Sequence, residues 1–120
     1  LAEDCVLDYR GCCTDPKSGT DFLPAMNVVL KGRANWQSGA FSKAGMTSVH
    51  QGHQAEITIE SADRASAIWA MTDRIYMPKD APIGVMRGFG YYHETYQREA
   101  DGWKIATIRI ERLRVEGTPT

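Results

Sequence analysis

From Met46 onward the chain alternates apolar and polar residues over four long stretches, Met46–Glu60, Arg64–Met77, Gly84–Glu99 and Trp103–Glu116. Period-two alternation of this length predicts strands that turn one face to a core and the other to solvent. The links between them carry turn chemistry. "SAD" and "EADG", the latter with Asp101-Gly102, are hairpin signals, and "PKDAP" is a longer, proline-bounded connection. Strands joined in this way form an antiparallel meander. Gly84, Gly88 and Gly90 in "GVMRGFGYY" are expected to mark bends or bulges, because no strand-to-helix turn follows that would make them a phosphate loop.

The first 45 residues read differently. Cys5 to Arg10 predicts a short strand, and "GCCTDPKSG" a loop. Asp21 stands where an N-cap would, and Phe22, Leu23, Met26, Val29 and Leu30 fall on one helical face before Gly32, with Pro24 tolerated in the first turn. A second segment, Ala34 to Gly45, predicts either a short helix lined by Trp36, Phe41 and Ala44 or irregular chain. The fold class that follows is α+β. It is a curved antiparallel sheet of four long strands plus a short N-terminal strand, wrapped on one face by one or two helices.

A length of 120 residues fits one domain with a genuine core. The net charge of -1 argues against a nucleic-acid partner, which would call for concentrated positive charge. No apolar run approaches the roughly 20 residues of a membrane-spanning helix. Cys5, Cys12 and Cys13 are odd in number and crowded together, which suits neither a disulfide framework nor a zinc knuckle. Reduced thiols and a cytoplasmic location are the expectation.

Strand parity singles out the candidate chemistry. In Arg64–Met77, Asp73 projects from the apolar face between Met71 and Ile75. A carboxylate there must be paired or hydrogen-bonded. It either holds a backbone amide or an arginine, or serves as an acid or orienting group in a cavity. The same parity separates the histidines of "SVHQGHQAEITIES": on a strand His50 and His53 point oppositely, so only one faces the cavity and the two cannot share a metal. A bulge at Gly52 would alter that parity. His93 shares its strand with Tyr91 and Tyr92 and is expected to be a structural or exposed residue.

The runs "HQGHQAEITIES", "AIWAMTDRIY" and "RGFGYYHETYQREADGWKIATIRIERLRV" resemble the SnoaL-like branch of the nuclear transport factor 2-like superfamily, which includes polyketide cyclases, scytalone dehydratase and bile-acid 7α-dehydratase. The resemblance runs from Ser48 to Val115 and implies a cone-shaped fold. It selects His50 as the inward histidine and a base acting on a proton next to a carbonyl, with Asp73 as the group that orients it. Trp36, Trp69, Met71, Phe89 and Tyr92, with Phe22 and Met86, would line a hydrophobic pocket, and Tyr91, Tyr92 or Arg112 would stabilise an enolate oxygen. Trp103 is expected to be core. The implied activity is that of a cofactor-independent lyase or isomerase of dehydratase or cyclase type, acting on a small hydrophobic cyclic molecule and built as a homodimer. The alternative is a non-catalytic small-molecule-binding or dimerisation module of the same fold. The family's N-terminal helices, which carry a tyrosine and an aspartate in the dehydratases, are expected upstream of Leu1. The chain is accordingly read as a fragment of a longer product or as a short form with a more open pocket.

Overall fold

The structure, a computed structural model, describes residues 1–36 and 45–119. Its frame is a six-stranded sheet in the order β2-β1-β6-β5-β4-β3. The long strands are β3 (Thr47–Ile59), β4 (Arg64–Tyr76), β5 (Ile83–Glu99) and β6 (Gly102–Pro119), each antiparallel to the next. They coincide with the four alternating stretches to within a few residues. The short strand β1 (Val6–Asp8) runs parallel to the middle of β6, and β2 (Val29–Lys31) runs antiparallel to β1 at the sheet edge.

The predicted helix from Asp21 to Leu30 does not form. Among the described residues there is no α-helix, only single 3-10 turns at Pro24–Met26 and Arg33–Asn35. Asp21 is not the N-cap, which is Leu23; its Oδ1 instead closes a local turn by accepting from the Leu23 N–H at 3.0 Å. The turn then stops at Asn27, whose side-chain oxygen takes the Gly11 N–H at 2.8 Å. Beyond it Val29, Leu30 and Lys31 satisfy their backbone on β1 and bring Leu30 against the core of Ala2, Cys5 and Leu7. The apolar spacing suited a helix, but β-branched Val28 and Val29 suit a strand as well, and pairing at an open sheet edge prevails over so weak a propensity. Of the second predicted segment, residues 37–44 lie outside the described part of the chain.

One face of the sheet carries the core. Along β4 the buried positions are Ala65, Ala67, Met71, Asp73 and Ile75, and their β5 partners are Tyr96, Glu94, Gly90, Gly88 and Met86. Register shifts at His53/Glu56 in β3 and at Ile83/Val85, Phe89/Gly90 and Thr95/Tyr96 between β5 and β6 supply the extra residues that bend a sheet. The segment between β1 and β2 closes one end of this concave face. Its Cys12 and Cys13 pack with Ile75, Met86 and Val115, and partly buried Tyr9, Phe22, Leu23 and Met26 surround them. Asp15, only 4% exposed, anchors that segment by accepting the Val115 N–H through Oδ1 and the Ser18 N–H through Oδ2.

Gly90 is bare for a local reason. A Cβ there would overlap the Glu111 carbonyl and come within 3.0 Å of the Arg112 Cα. At Gly52 the nearest atom to an added Cβ is Trp69 Cε3 at 3.5 Å, an ordinary contact. Gly90→Ala is therefore expected to lose about 1–3 kcal/mol in urea denaturation, and Gly52→Ala to stay within about 0.5 kcal/mol of the parent.

Candidate active site

Asp73 is the most unusual residue of the concave face, because a carboxylate with 1% of its side chain exposed needs a partner. Arg112, itself only 3% exposed, supplies it in bidentate form, Nη1 to Oδ1 at 2.7 Å and Nη2 to Oδ2 at 2.9 Å. The guanidinium also donates through Nε to the Cys12 carbonyl and through Nη1 to Met71 Sδ at 3.3 Å. Burial works against its charge, but Asp73 outweighs burial and raises the Arg112 pKa above its ordinary value.

To reach Asp73, two strands away, Arg112 must cross β5. It does so over Gly88, the β5 partner of Asp73, and Gly90, the partner of Met71 and Arg112. A Cβ on Gly88 would sit 2.6 Å from the Arg112 Cζ and overlap the Asp73 carboxylate as well. Gly88 thus clears a channel for the guanidinium, a role the bulge reading of these glycines did not contain. The register shift does fall at Phe89/Gly90.

His50 stands directly opposite Asp73 on the edge strand β3, so the two share the concave face, whereas His53 pairs with Ala70 and projects from the other. The bulge lies after His53, where Gln54 adopts a positive φ of 39°, and not at Gly52. His50 Nε2 is 3.5 Å from Asp73 Oδ2, and its side chain is 40% exposed. That distance is longer than a formed N–H···O bond, so Arg112 is the principal partner of Asp73 and the imidazole an accessible neighbour.

The other candidates divide. Tyr92 and Trp69 form a cross-strand pair on the concave face. Burial first, and the nearby Asp73 carboxylate second, push the Tyr92 hydroxyl well above the ordinary tyrosine value, so it stays a protonated donor at neutral pH. The Trp69 indole N–H donates to the Tyr96 hydroxyl at 2.9 Å, which in turn donates to Glu94. Met71, 2% exposed, is packed beneath Arg112 and does not line an open surface. Phe89, partner of Thr72, points from the opposite face and is 38% exposed. Trp36 stacks on Tyr9 with ring centroids 6.0 Å apart. Trp103, expected in the core, is 45% exposed beside the last hairpin, with the Arg98 guanidinium 6.0 Å from its ring. It is the second residue of its strand, directly after the turn.

The positions that parity alone could have revealed are Tyr96 and Glu94, which continue the row Gly88, Gly90, Tyr92 along β5. The Cys12 carbonyl had no signal in the sequence, because a backbone group is chosen by the path of the loop. The Cys12 and Cys13 sulfurs are 3.5 Å apart, and all three cysteines are free and buried.

With this geometry in place, comparison with known proteins identifies the class. The sequence matches the SnoaL-like domain over residues 2–109, and the chain belongs to that family. A probable cyclase of Gibberella zeae is 36% identical over 69 residues, 57% of this chain, and the matched region spans 45% of that protein. Among solved structures, a protein of Novosphingobium aromaticivorans provisionally assigned as a scytalone dehydratase superposes with a TM-score of 0.70 at 16% identity, covering 99% of this chain and 74% of that one. A hexachlorocyclohexane dehydrochlorinase of Novosphingobium barchaimii gives 0.67 at 13%, with 97% and 70% covered. At these identities the structures share the fold.

Removing one member of a buried pair strands the other's charge, whereas replacing both with apolar groups does not. Arg112→Met is expected to cost about 3–5 kcal/mol in urea denaturation, and Asp73→Val with Arg112→Met at least about 2 kcal/mol less than the sum of the single changes. Additive single and double values would show that the two residues are not energetically coupled.

Proposed function

We propose that the chain is a cofactor-independent lyase of dehydratase or cyclase type, in which His50 removes a proton from a carbon next to a carbonyl in a small hydrophobic cyclic molecule. The observation that carries this reading is a half-open imidazole set against a buried carboxylate that is itself clamped by an arginine. The activities named for a relative and two neighbours, a probable cyclase, a provisionally assigned scytalone dehydratase and a hexachlorocyclohexane dehydrochlorinase, support a lyase-type reading.

Asp73 Oδ2 accepts Nε2–H of His50, a contact that shortens when substrate closes the site, as such contacts commonly do. This leaves the lone pair on Nδ1 to take the proton, while the C–H electrons pass into the enolate. The Tyr92 hydroxyl donates to the enolate oxygen. The imidazolium then returns its proton to a departing hydroxyl, which leaves as water as the carbon–carbon double bond forms. Arg112, occupied by Asp73, Cys12 and Met71, holds the carboxylate and is not assigned to the substrate. Trp69 provides a flat apolar wall. On the opposite face, exposed Val49, Ile68 and Phe89 are proposed as the homodimer surface.

Deuterium exchange at the α-carbon of 2-tetralone in D2O, followed by NMR, tests the base directly. His50→Ala is expected to slow exchange at least about 100-fold while ligand affinity changes by less than about threefold, roughly 0.7 kcal/mol. Exchange that survives the substitution would leave a non-catalytic binding module as the better reading.

The raised Tyr92 pKa adds a pH expectation. An ordinary tyrosine ionises at 10.0, and because burial raises the folded value the donor persists above that pH. The exchange rate should therefore show no tyrosine-linked fall up to pH 10.0, and a fall centred below it would contradict the role of Tyr92.

A further inference from the structure

The polar side chains of the concave face form two groups with an apolar span between them. The first is His50, Asp73 and Arg112, with the Tyr92 hydroxyl near Asp73. The second is Glu94, whose Oε2 accepts the Tyr96 hydroxyl, with the Trp69 indole N–H bonded to that same hydroxyl. Register places Ile57, Ala67, Glu94 and Ile108 in one cross-strand row, and Ile59, Ala65 and Tyr96 in the next. Between Ala67 and Asp73 lie six steps of β4, about 20 Å at the rise of an antiparallel strand, less the inward lean of the long side chains.

Glu94 stands out within its row. It is partly buried and forms no ion pair among the described residues, and its row neighbours are apolar. Ile57 and Ile59 beside it are 62% and 68% exposed, so the carboxylate sits at an open apolar surface. Burial first, and the hydrogen bond to Glu94 second, push the Tyr96 hydroxyl up to about 12, so it remains a donor at neutral pH. It satisfies one carboxylate oxygen. Among the described residues no donor reaches the other, which is not sealed from solvent and can accept a hydrogen bond from a ligand.

We infer that Glu94 is a specificity-determining residue that accepts a hydrogen bond from a hydroxyl at the far end of an elongated, apolar, ring-containing substrate. The inference rests on the proposed function in placing the reacting carbon at His50. Tyr96 is a positioning residue in this scheme. It holds the Glu94 carboxylate and the edge of Trp69 together, so that the indole plate and the acceptor form one rigid end to the concave face. The apolar body of the ligand spans Trp69, Tyr92 and Ile57.

Two flat cyclic ketones that differ only at the far end provide the test: estrone, with a phenolic hydroxyl opposite its ketone, and the 3-deoxy analogue. Wild-type protein is expected to bind estrone about tenfold more tightly than the analogue. Glu94→Leu should abolish that preference while its affinity for the deoxy ketone stays within about threefold of wild type, which also verifies that the variant is folded. Glu94→Gln, which keeps an acceptor, should retain part of the preference. Equal wild-type affinities, a preference that persists in Glu94→Leu, or failure of wild type to bind either ketone would overturn the inference. Affinity, not turnover, is read, so a wild type that prefers estrone without exchanging its α-hydrogens fails the catalytic reading and not this one.

Discussion

A buried carboxylate that must be paired governs much of this molecule. Desolvating Asp73 and Arg112 costs several kcal/mol per ion, and only close bidentate geometry with the remaining donors satisfied offsets that. The consequences spread through three strands and a loop. Gly88 must be bare for the guanidinium to pass, and the Cys12 carbonyl must lie where Nε can reach it. The Val115 N–H and Asp15 then keep the loop that carries Cys12 against β6. What remains accessible at the end of this chain of constraints is the imidazole at the sheet edge, 3.5 Å from the carboxylate and the one member of the group that is open to solvent.

This arrangement separates two tasks that a single residue could not combine. Burial and the arginine fix the position of Asp73 and make it a rigid reference for a neighbour. His50, half exposed on β3, is the accessible neighbour of that carboxylate, with little of its own to orient it. At the other end of the concave face Tyr96 performs a comparable service for Glu94 and Trp69. In both places a buried or shielded hydrogen bond positions an accessible group.

Much of this was legible in the sequence, and the reason is strand parity. Alternation located the four long strands, their hairpins, the inward turn of Asp73 and the separation of His50 from His53, because each depends only on a period of two. The same parity, carried along β5, also contains Glu94 and Tyr96, although it cannot say whether a face is open. What was not legible depended on partners remote in sequence. The segment from Asp21 to Leu30 has helical spacing, but a free edge of β1 converts its end to strand. The hydrophobicity of Phe89 suits a pocket residue, yet its place between Gly88 and Gly90 puts it on the other face. Arg112 was recognised, but its principal partner is the carboxylate and not a substrate oxygen, a distinction that required the side-chain path over two glycines.

The central claim is that Asp73, held by Arg112, sets the protonation pattern of the His50 ring. Long-range proton–nitrogen correlation of the neutral His50 side chain, in wild type and in Asp73→Asn, measures this most directly. The account predicts a wild-type ring protonated at Nε2 and unprotonated at Nδ1, with the two forms mixing once Asp73 is replaced. A wild-type ring protonated mainly at Nδ1, or populations indifferent to the substitution, would contradict it.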